Sequence, residues 1–328
     1  HNEITTLKNK YKDKATSLMC AGMNPGLITV FTKLSILFLA KHTKKSKELQ
    51  LYINEKDYAR MCKYLKIEII HCSETDSSEF IKKENNDKFN NSWSCQALID
   101  EYSDNVQMTW GTSQKTIPEG AEMVSEHVIR FKERAENIYC ESYVPFDGKI
   151  IGSCISHSES ISGSDYYSTP DYSPTIHYVY RFSPIAFNSI QKMNKNLIGG
   201  TFPKDTTHVL NNYEDKFTGI DRVGALIITE DKRAVWCGSI LSNKEKHIGN
   251  NSGTTSQVAV GVLAFMHWIL DNPKKGCNFC EVIDEEYILK LIKPYIGFYC
   301  DFVDDYKPKS LQFTDLQRTK EQFNEQFK

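Results

Sequence analysis

Apolar and polar positions change period several times along the chain, and the changes mark its elements. Residues 16–22, Thr-Ser-Leu-Met-Cys-Ala-Gly, form a short apolar run ending on glycine, which predicts a buried strand with a sharp exit. From Leu27 the apolar positions Leu27, Val30, Phe31, Leu34, Leu37 and Phe38 keep helical spacing, with Pro25 just ahead of the first turn. Strand, tight turn and helix therefore make one unit. The lysine-rich stretch 42–47 breaks the pattern and is expected as a domain boundary. Beyond it the spacing predicts a helix over 55–65, a strand over 67–72 and a polar segment to Asn91. Short β-type runs follow at 137–144, 149–155, 175–182 and 225–229, predicting a mixed or antiparallel sheet. Further on, Val258, Val262, Phe265 and Ile269 share one helix face, with Thr254 or Thr255 able to cap its start and Asn272-Pro273 closing it.

Bulk properties narrow the functional classes. A chain of 328 residues exceeds what one compact domain usually holds, so two lobes or one large interrupted domain are expected. The formal net charge is −2, which removes the basic excess that nucleic-acid binding requires. The longest apolar run noted, Leu27–Ala40, is interrupted by Thr29, Thr32, Lys33 and Ser35, so no membrane span is expected. The start, His1-Asn2-Glu3, is polar and not a secretory signal, and the missing initial Met leads us to expect a fragment. Ten scattered cysteines, several within apolar runs, read as reduced thiols of a cytoplasmic protein. Only Cys277 and Cys280 have metal-ligand spacing, and without a second pair no metal is expected.

Several side chains could carry chemistry, each with a plainer alternative. Asn24, at the corner between strand and helix, either faces a ligand beyond the strand end or stabilises the turn. Ser73-Glu74-Thr75-Asp76 places a carboxylate directly after a strand, as a site residue or a cap. Trp93, in the polar run Asn-Ser-Trp-Ser, is either core or an aromatic face for a cationic amine. His157 and Glu159 follow a strand and would share a face if it continued, so that the carboxylate raises the imidazole's proton affinity; a surface pair is the alternative. His177, in an alternating run, either faces a cleft or sits in a sheet core. No G-x-G-x-x-G, G-x-S-x-G, P-loop or H-E-x-x-H pattern is present, and Ile198-Gly199-Gly200-Thr201 lacks the spacing of the first.

Taken in order, these stretches resemble one family. Residues 21–27 (Ala-Gly-Met-Asn-Pro-Gly-Leu), 70–76 (Ile-His-Cys-Ser-Glu-Thr-Asp), 91–94, 110–112 (Trp-Gly-Thr), 155–162 (Ile-Ser-His-Ser-Glu-Ser-Ile-Ser), 172–180 (Tyr-Ser-Pro-Thr-Ile-His-Tyr-Val-Tyr) and 293–297 (Lys-Pro-Tyr-Ile-Gly) together resemble the bacterial-type homospermidine synthases, relatives of saccharopine dehydrogenase. The resemblance implies an α/β chain: residues 1–45 as the last strand and helix of a Rossmann-type NAD domain, 46–253 as a large α+β substrate-binding and dimerisation lobe, and 254–328 as a helical segment returning toward the NAD domain. It implies NAD as cofactor, putrescine and related polyamines as substrates, and a homodimer. The reaction implied is oxidation of putrescine to an imine, loss of ammonia, Schiff-base formation with a second putrescine, and re-reduction.

Carried over residue by residue, the resemblance places Asn24, with Pro25 and Gly26, beside the nicotinamide. It makes Glu74 and Glu101 the amine-holding carboxylates, Trp93 the cation–π face, and His157 with Glu159 the groups near the reacting centre. The chain departs from the family's pattern at Ser158, where Gly is usual, at Ser173, where Arg is usual, and at Ser113-Gln114, where His-Glu is usual. Other readings kept open are a carboxynorspermidine-type oxidoreductase, which would need a cation for a substrate carboxylate, and a non-catalytic polyamine-binding or dimerising chain.

Overall fold

In the computed structural model, which describes residues 6–7, 10–12, 14–82, 88–193, 202–203, 205–210, 216–244 and 251–328, the strand–corner–helix unit is built around its glycines. Strand β1 (Ser17–Met19) is shorter than the apolar run and, expected to be buried, is only half-buried with Ser17 exposed, while helix α1 (Leu27–Lys41) starts where its spacing predicted. Between them the Gly22 N–H donates to the Pro25 carbonyl at 2.9 Å, and the Leu27 N–H donates to the Gly22 carbonyl at 3.0 Å. Gly26 has φ 135°, and a Cβ there would lie 2.4 Å from the Gly22 oxygen, so a side chain does not fit. His1–Glu3 and Ile198–Thr201 lie outside the described residues.

The expected helix over 55–65 is two helices, α2 (Lys47–Glu55) and α3 (Tyr58–Tyr64), because Lys56 turns left-handed and Asp57 caps the second start. Stretch 42–46 is only a short connection: Leu37 and Ala40 of α1, Leu49 of α2 and Met61 of α3 share one apolar cluster. The strand expected to end at Cys72 runs on as β2 (Ile67–Asp76), so Glu74 and Asp76 lie within it and not beyond it.

Strand β2 is central in a mixed sheet. In chain order its members are β2, β3 (Asn105–Thr109), β4 (Ala121–Ser125), β5 (Val128–Arg134), β6 (Tyr139–Val144), β7 (Gly148–Ser153), β8 (Thr175–Arg181), β9 (Ile220–Thr229), β10 (Ala234–Ser242), β12 (Phe298–Val303) and β13 (Gln317–Arg318), with β11 (Cys277–Phe279) outside it. The spatial order is β12-β10-β9-β2-β8-β3-β5-β4, while β7 pairs with β8 and β6, and β6 with β13. β8 lies parallel to β2 and β9 antiparallel to it, and β1 pairs in parallel with β11. Residues 254–328, expected as helical, thus also supply strands.

Register sorts the central side chains onto two faces. Tyr180 is opposite Glu74 and Asp221 opposite Asp76, so these four residues and Tyr178 share one face. His177 is opposite His71 on the other face, where Thr75, Arg181 and Arg222 meet Asp147.

Four helices besides α1–α3 matter for the site: α4 (Cys95–Ser103), α5 (Glu159–Tyr166), α6 (Pro184–Lys192) and α7 (Gly253–Asp271). Helix α7 is capped by Ser252, not by Thr254 or Thr255, and its buried side is Val260, Ala264, Phe265 and Trp268; Val258 and Val262, expected on the core face, are exposed. It is longer than the 27–40 run, 19 residues with a mean hydropathy of 1.2 and a single charged side chain at Asp271, and about half of it is buried. Gly261 lets it approach the corner, since a Cβ there would lie 2.5 Å from the Gly22 oxygen. The reduced state expected for all ten cysteines does not hold: Cys237 and Cys300, directly opposed on β10 and β12 with Cα atoms 4.0 Å apart, form a disulfide.

Gly26→Ala should therefore destabilise the chain by about 2 kcal/mol or more, since it adds both a left-handed strain and a clash. Chemical denaturation checks this; an unchanged midpoint would mean that the corner is looser than described.

Candidate active site

The corner, the central sheet and helix α4 enclose a cavity of about 300 Å³ lined by Met23, Asn24, Pro25, Glu74, Trp93, Ala97, Glu101, His157 and Tyr178, with Thr254 and Val258 from α7. Each element delivers its residue for a local reason. Ser94 caps α4 by accepting from the Ala97 N–H, which leaves Trp93 just ahead of the helix and sets Ala97 and Glu101, one turn apart, on the cavity side. His157 lies in the loop after β7, which ends at Ser153, and Glu159 opens α5. The two meet through that helix start, where a carboxylate is favoured, and not through the strand alternation expected.

The Asn24 side chain donates to Glu74 Oε2 at 2.5 Å and also to the Tyr178 hydroxyl, and Tyr178 in turn donates to the same Glu74 oxygen. The amide is thus tied to the sheet, while the turn itself is closed by the backbone bonds of Gly22 and Leu27. Burial pushes the Glu74 carboxyl up to about 8, against the opposing effect of the Tyr178 and Asn24 hydrogen bonds, with nearby Asp76 adding to the rise. Asp76 and Asp221 are also buried and also raised, Asp221 well above the carboxylate range, in both cases mainly by desolvation. Among the described residues no lysine or arginine forms an ion pair with Glu74, Asp76 or Asp221.

His157 is held between two carboxylates, its Nε2 3.2 Å from Glu101 and its Nδ1 3.4 Å from Glu159. Burial alone would depress its proton affinity, but Glu101 and then Glu159 outweigh it, and the imidazole stays protonated well above its usual range. Its ring lies 4.6 Å from that of Tyr178, which stacks on Tyr180 at 5.9 Å. Trp93, half-buried, donates from its indole nitrogen to the Tyr180 hydroxyl at 3.2 Å. A cavity of this kind offers a cation a buried carboxyl that can give up its proton for it and aromatic faces along the wall.

The eight residues that the resemblance assigned to the site converge here: Asn24, Pro25, Glu74, Trp93, Glu101 and His157 line the cavity, Gly26 shapes its corner, and Glu159 stands behind His157. Gly22 and Gly26 keep the corner free of side chains at the end of a strand and the start of a helix, a setting that fits the nicotinamide end of a dinucleotide. His177 is not part of the cavity; it is 2% exposed on the opposite face. Tyr178, Asp76 and Asp221 were not singled out. The first two stood inside quoted motifs, and Asp221 becomes meaningful only opposite Asp76.

The departures are accommodated. Ser158 donates to Glu159 at 3.3 Å, Ser173 is buried and accepts from Ser168 at 2.9 Å, and Gln114 bonds the backbone of Leu311 and Phe313. The pair Cys277 and Cys280 gathers no further ligand among the described residues, the latter donating to the carbonyls of Met19 and Cys20.

A mixed α/β sheet with its cavity at a strand–helix corner is the architecture of this chain, and the saccharopine dehydrogenase C-terminal domain matches residues 22–297. The chain belongs to that family. It is similar to the homospermidine synthases of Mesorhizobium japonicum, 29% identical over 90% of this chain, and of Blastochloris viridis, 28% over 89%; it spans 62% of the length of each. It also superposes on the homospermidine synthase of Legionella pneumophila, determined as a crystal structure in complex with NAD, with TM-score 0.84 and 26% identity over 97% of this chain and 73% of that one.

The buried carboxyl sets a pH dependence. Glu74 titrates at 4.5 when free and at about 8 in the fold, so between those values the folded chain keeps a proton that the unfolded chain has lost. Stability conferred by that proton is complete below the lower value and is lost as pH rises through the upper one; His157 acts in the same direction at higher pH. The thermal midpoint of the ligand-free chain should fall from about pH 5 to about pH 8, and Glu74→Gln should flatten that slope. A midpoint that rises over this range would contradict the assignment.

Proposed function

We propose that this chain is the substrate-binding part of a homospermidine synthase, an NAD-dependent enzyme that transfers an aminobutyl group between two putrescines and releases ammonia. The observation that carries the reading is the cavity itself: a Glu74 carboxyl with no lysine or arginine partner, Glu101 beside the His157 imidazole, aromatic walls, and no lysine or arginine among its lining residues. The last point speaks against a carboxynorspermidine-type substrate, whose carboxylate would need a cation. The named relatives support the same reading. A cytoplasmic homodimer belongs to the proposal as well.

The residues divide the work by their chemistry. Glu74, backed by Asp76 and Asp221, holds an ammonium end in place of the protons that the empty site retains. Trp93, with Tyr178 and Tyr180, faces the cationic Schiff base formed between the two amines. Glu101 and Glu159 keep His157 protonated, so its imidazolium can give a proton to the departing amine nitrogen and take one from the incoming ammonium. Asn24 orients Glu74 and Tyr178 and forms, with Pro25 and Gly26, the wall for the nicotinamide. When bound there, NAD supplies the hydride acceptor for oxidation and the hydride donor for re-reduction.

Incubating the full protein with putrescine and catalytic NAD⁺ should give homospermidine by mass spectrometry, and the absence of product would reject the proposal. Trp93→Ala should lower kcat/KM by about tenfold or more, the value of one desolvated cation–π contact, while moving the thermal midpoint little. A large loss of stability with kinetics preserved in the folded fraction would make Trp93 a core residue instead.

A further inference from the structure

The sheet face opposite the cavity holds a second group of ligand-type side chains. His71 on β2, Cys140 on β6 and His177 on β8 are all buried, and one donor atom of each lies within 4.8 Å of the others. His71 and His177 are register partners on parallel neighbouring strands, with ring centroids 4.2 Å apart. The Ser142 hydroxyl bonds His71 Nδ1 at 2.9 Å, which fixes the ring and turns Nε2 toward the group. That Nε2 and His177 Nδ1 are fully buried with no hydrogen-bond partner. Two orphaned imidazole nitrogens beside a thiol are costly unless something accepts their lone pairs. The Cys154 thiol stands within hydrogen-bonding reach of Cys140.

We propose that His71, Cys140 and His177 bind a zinc ion, with Cys154 closing a tetrahedral set. Two imidazoles and two thiolates match the donor preference of a borderline-soft divalent cation, and the two thiolate charges neutralise it inside an apolar core. Both thiols release their protons on binding, while the neutral imidazoles release none. Zinc–ligand bonds of about 2.0–2.3 Å set tetrahedral donors about 3.3–3.8 Å apart, so His71, Cys140 and His177 need to draw in by up to about 1.5 Å, and Cys154, outside that group, needs to move further. The ion would pin β6, β2 and β8 together on the face away from the cavity. Its role is structural and independent of the proposed reaction.

The test is metal analysis of the full protein, purified without chelator under reducing conditions. Mass spectrometry of metals should find about one zinc per chain, and X-ray absorption should show mixed nitrogen and sulfur ligands at about 2.0 and 2.3 Å. Cys140→Ser and His71→Gln should each retain less than about a tenth of the metal, and Cys277→Ser should retain all of it. A wild-type chain that is metal-free and takes up no added Zn²⁺ overturns the proposal. So do an oxygen-only ligand set, metal retained by both variants, or a disulfide between Cys140 and Cys154. The absorption and uptake measurements use the wild-type chain alone, so a variant that fails to fold does not shield the idea.

Discussion

Burying carboxylates without a cation is the constraint around which the cavity is organised. Taking an ionised carboxyl out of water costs several kcal/mol, and the cost is met by a counter-charge, by hydrogen bonds to the ionised form, or by keeping the proton. Glu74 uses the second and third of these: Asn24 and Tyr178 bond it, yet its proton affinity remains raised. Asp76 and Asp221, deeper on the same face, are raised as well. Of the three, only Glu74 reaches the cavity, so it is the carboxyl that a positively charged group placed there would relieve.

That arrangement depends on the sheet. Three adjacent strands, β8, β2 and β9, place Tyr178, Tyr180, Glu74, Asp76 and Asp221 on one face purely through register. A slip by one residue would send the acids to the face now occupied by His71 and His177. The arginines Arg181 and Arg222, which could neutralise the acids, point the other way and meet Asp147 instead. One sheet thus keeps two charge environments apart, an acid and aromatic face toward the cavity and an opposite face with its own ion pairs and imidazoles.

The corner connects this sheet to helices α1 and α7. Gly26 permits the chain reversal, Gly261 lets α7 approach, and the Asn24 amide bridges from the turn to Glu74 and Tyr178. Of the two readings of Asn24, the side chain follows the one that faces the cavity, since its bonds go to Glu74 and Tyr178 and not to the turn.

Sequence alone determined the strand–corner–helix unit, the start of α1 at Leu27 and the presence of a mixed sheet, because these follow from local period and from Gly and Pro positions. The motifs in order also pointed to seven of the residues that gather at the cavity, while Glu101 stood outside them and came only with the resemblance. The reasons read from the sequence were less secure: the meeting of His157 with Glu159 was expected from a strand and arises at a helix start, and Glu74 was expected past a strand end and lies within one. Only the tertiary structure decided that Asp221 faces Asp76, that His177 opposes His71 away from the cavity, and that Cys237 meets Cys300. These pairings join residues distant in sequence, and a strand's period shows only which side chains alternate, never which strand will lie beside it.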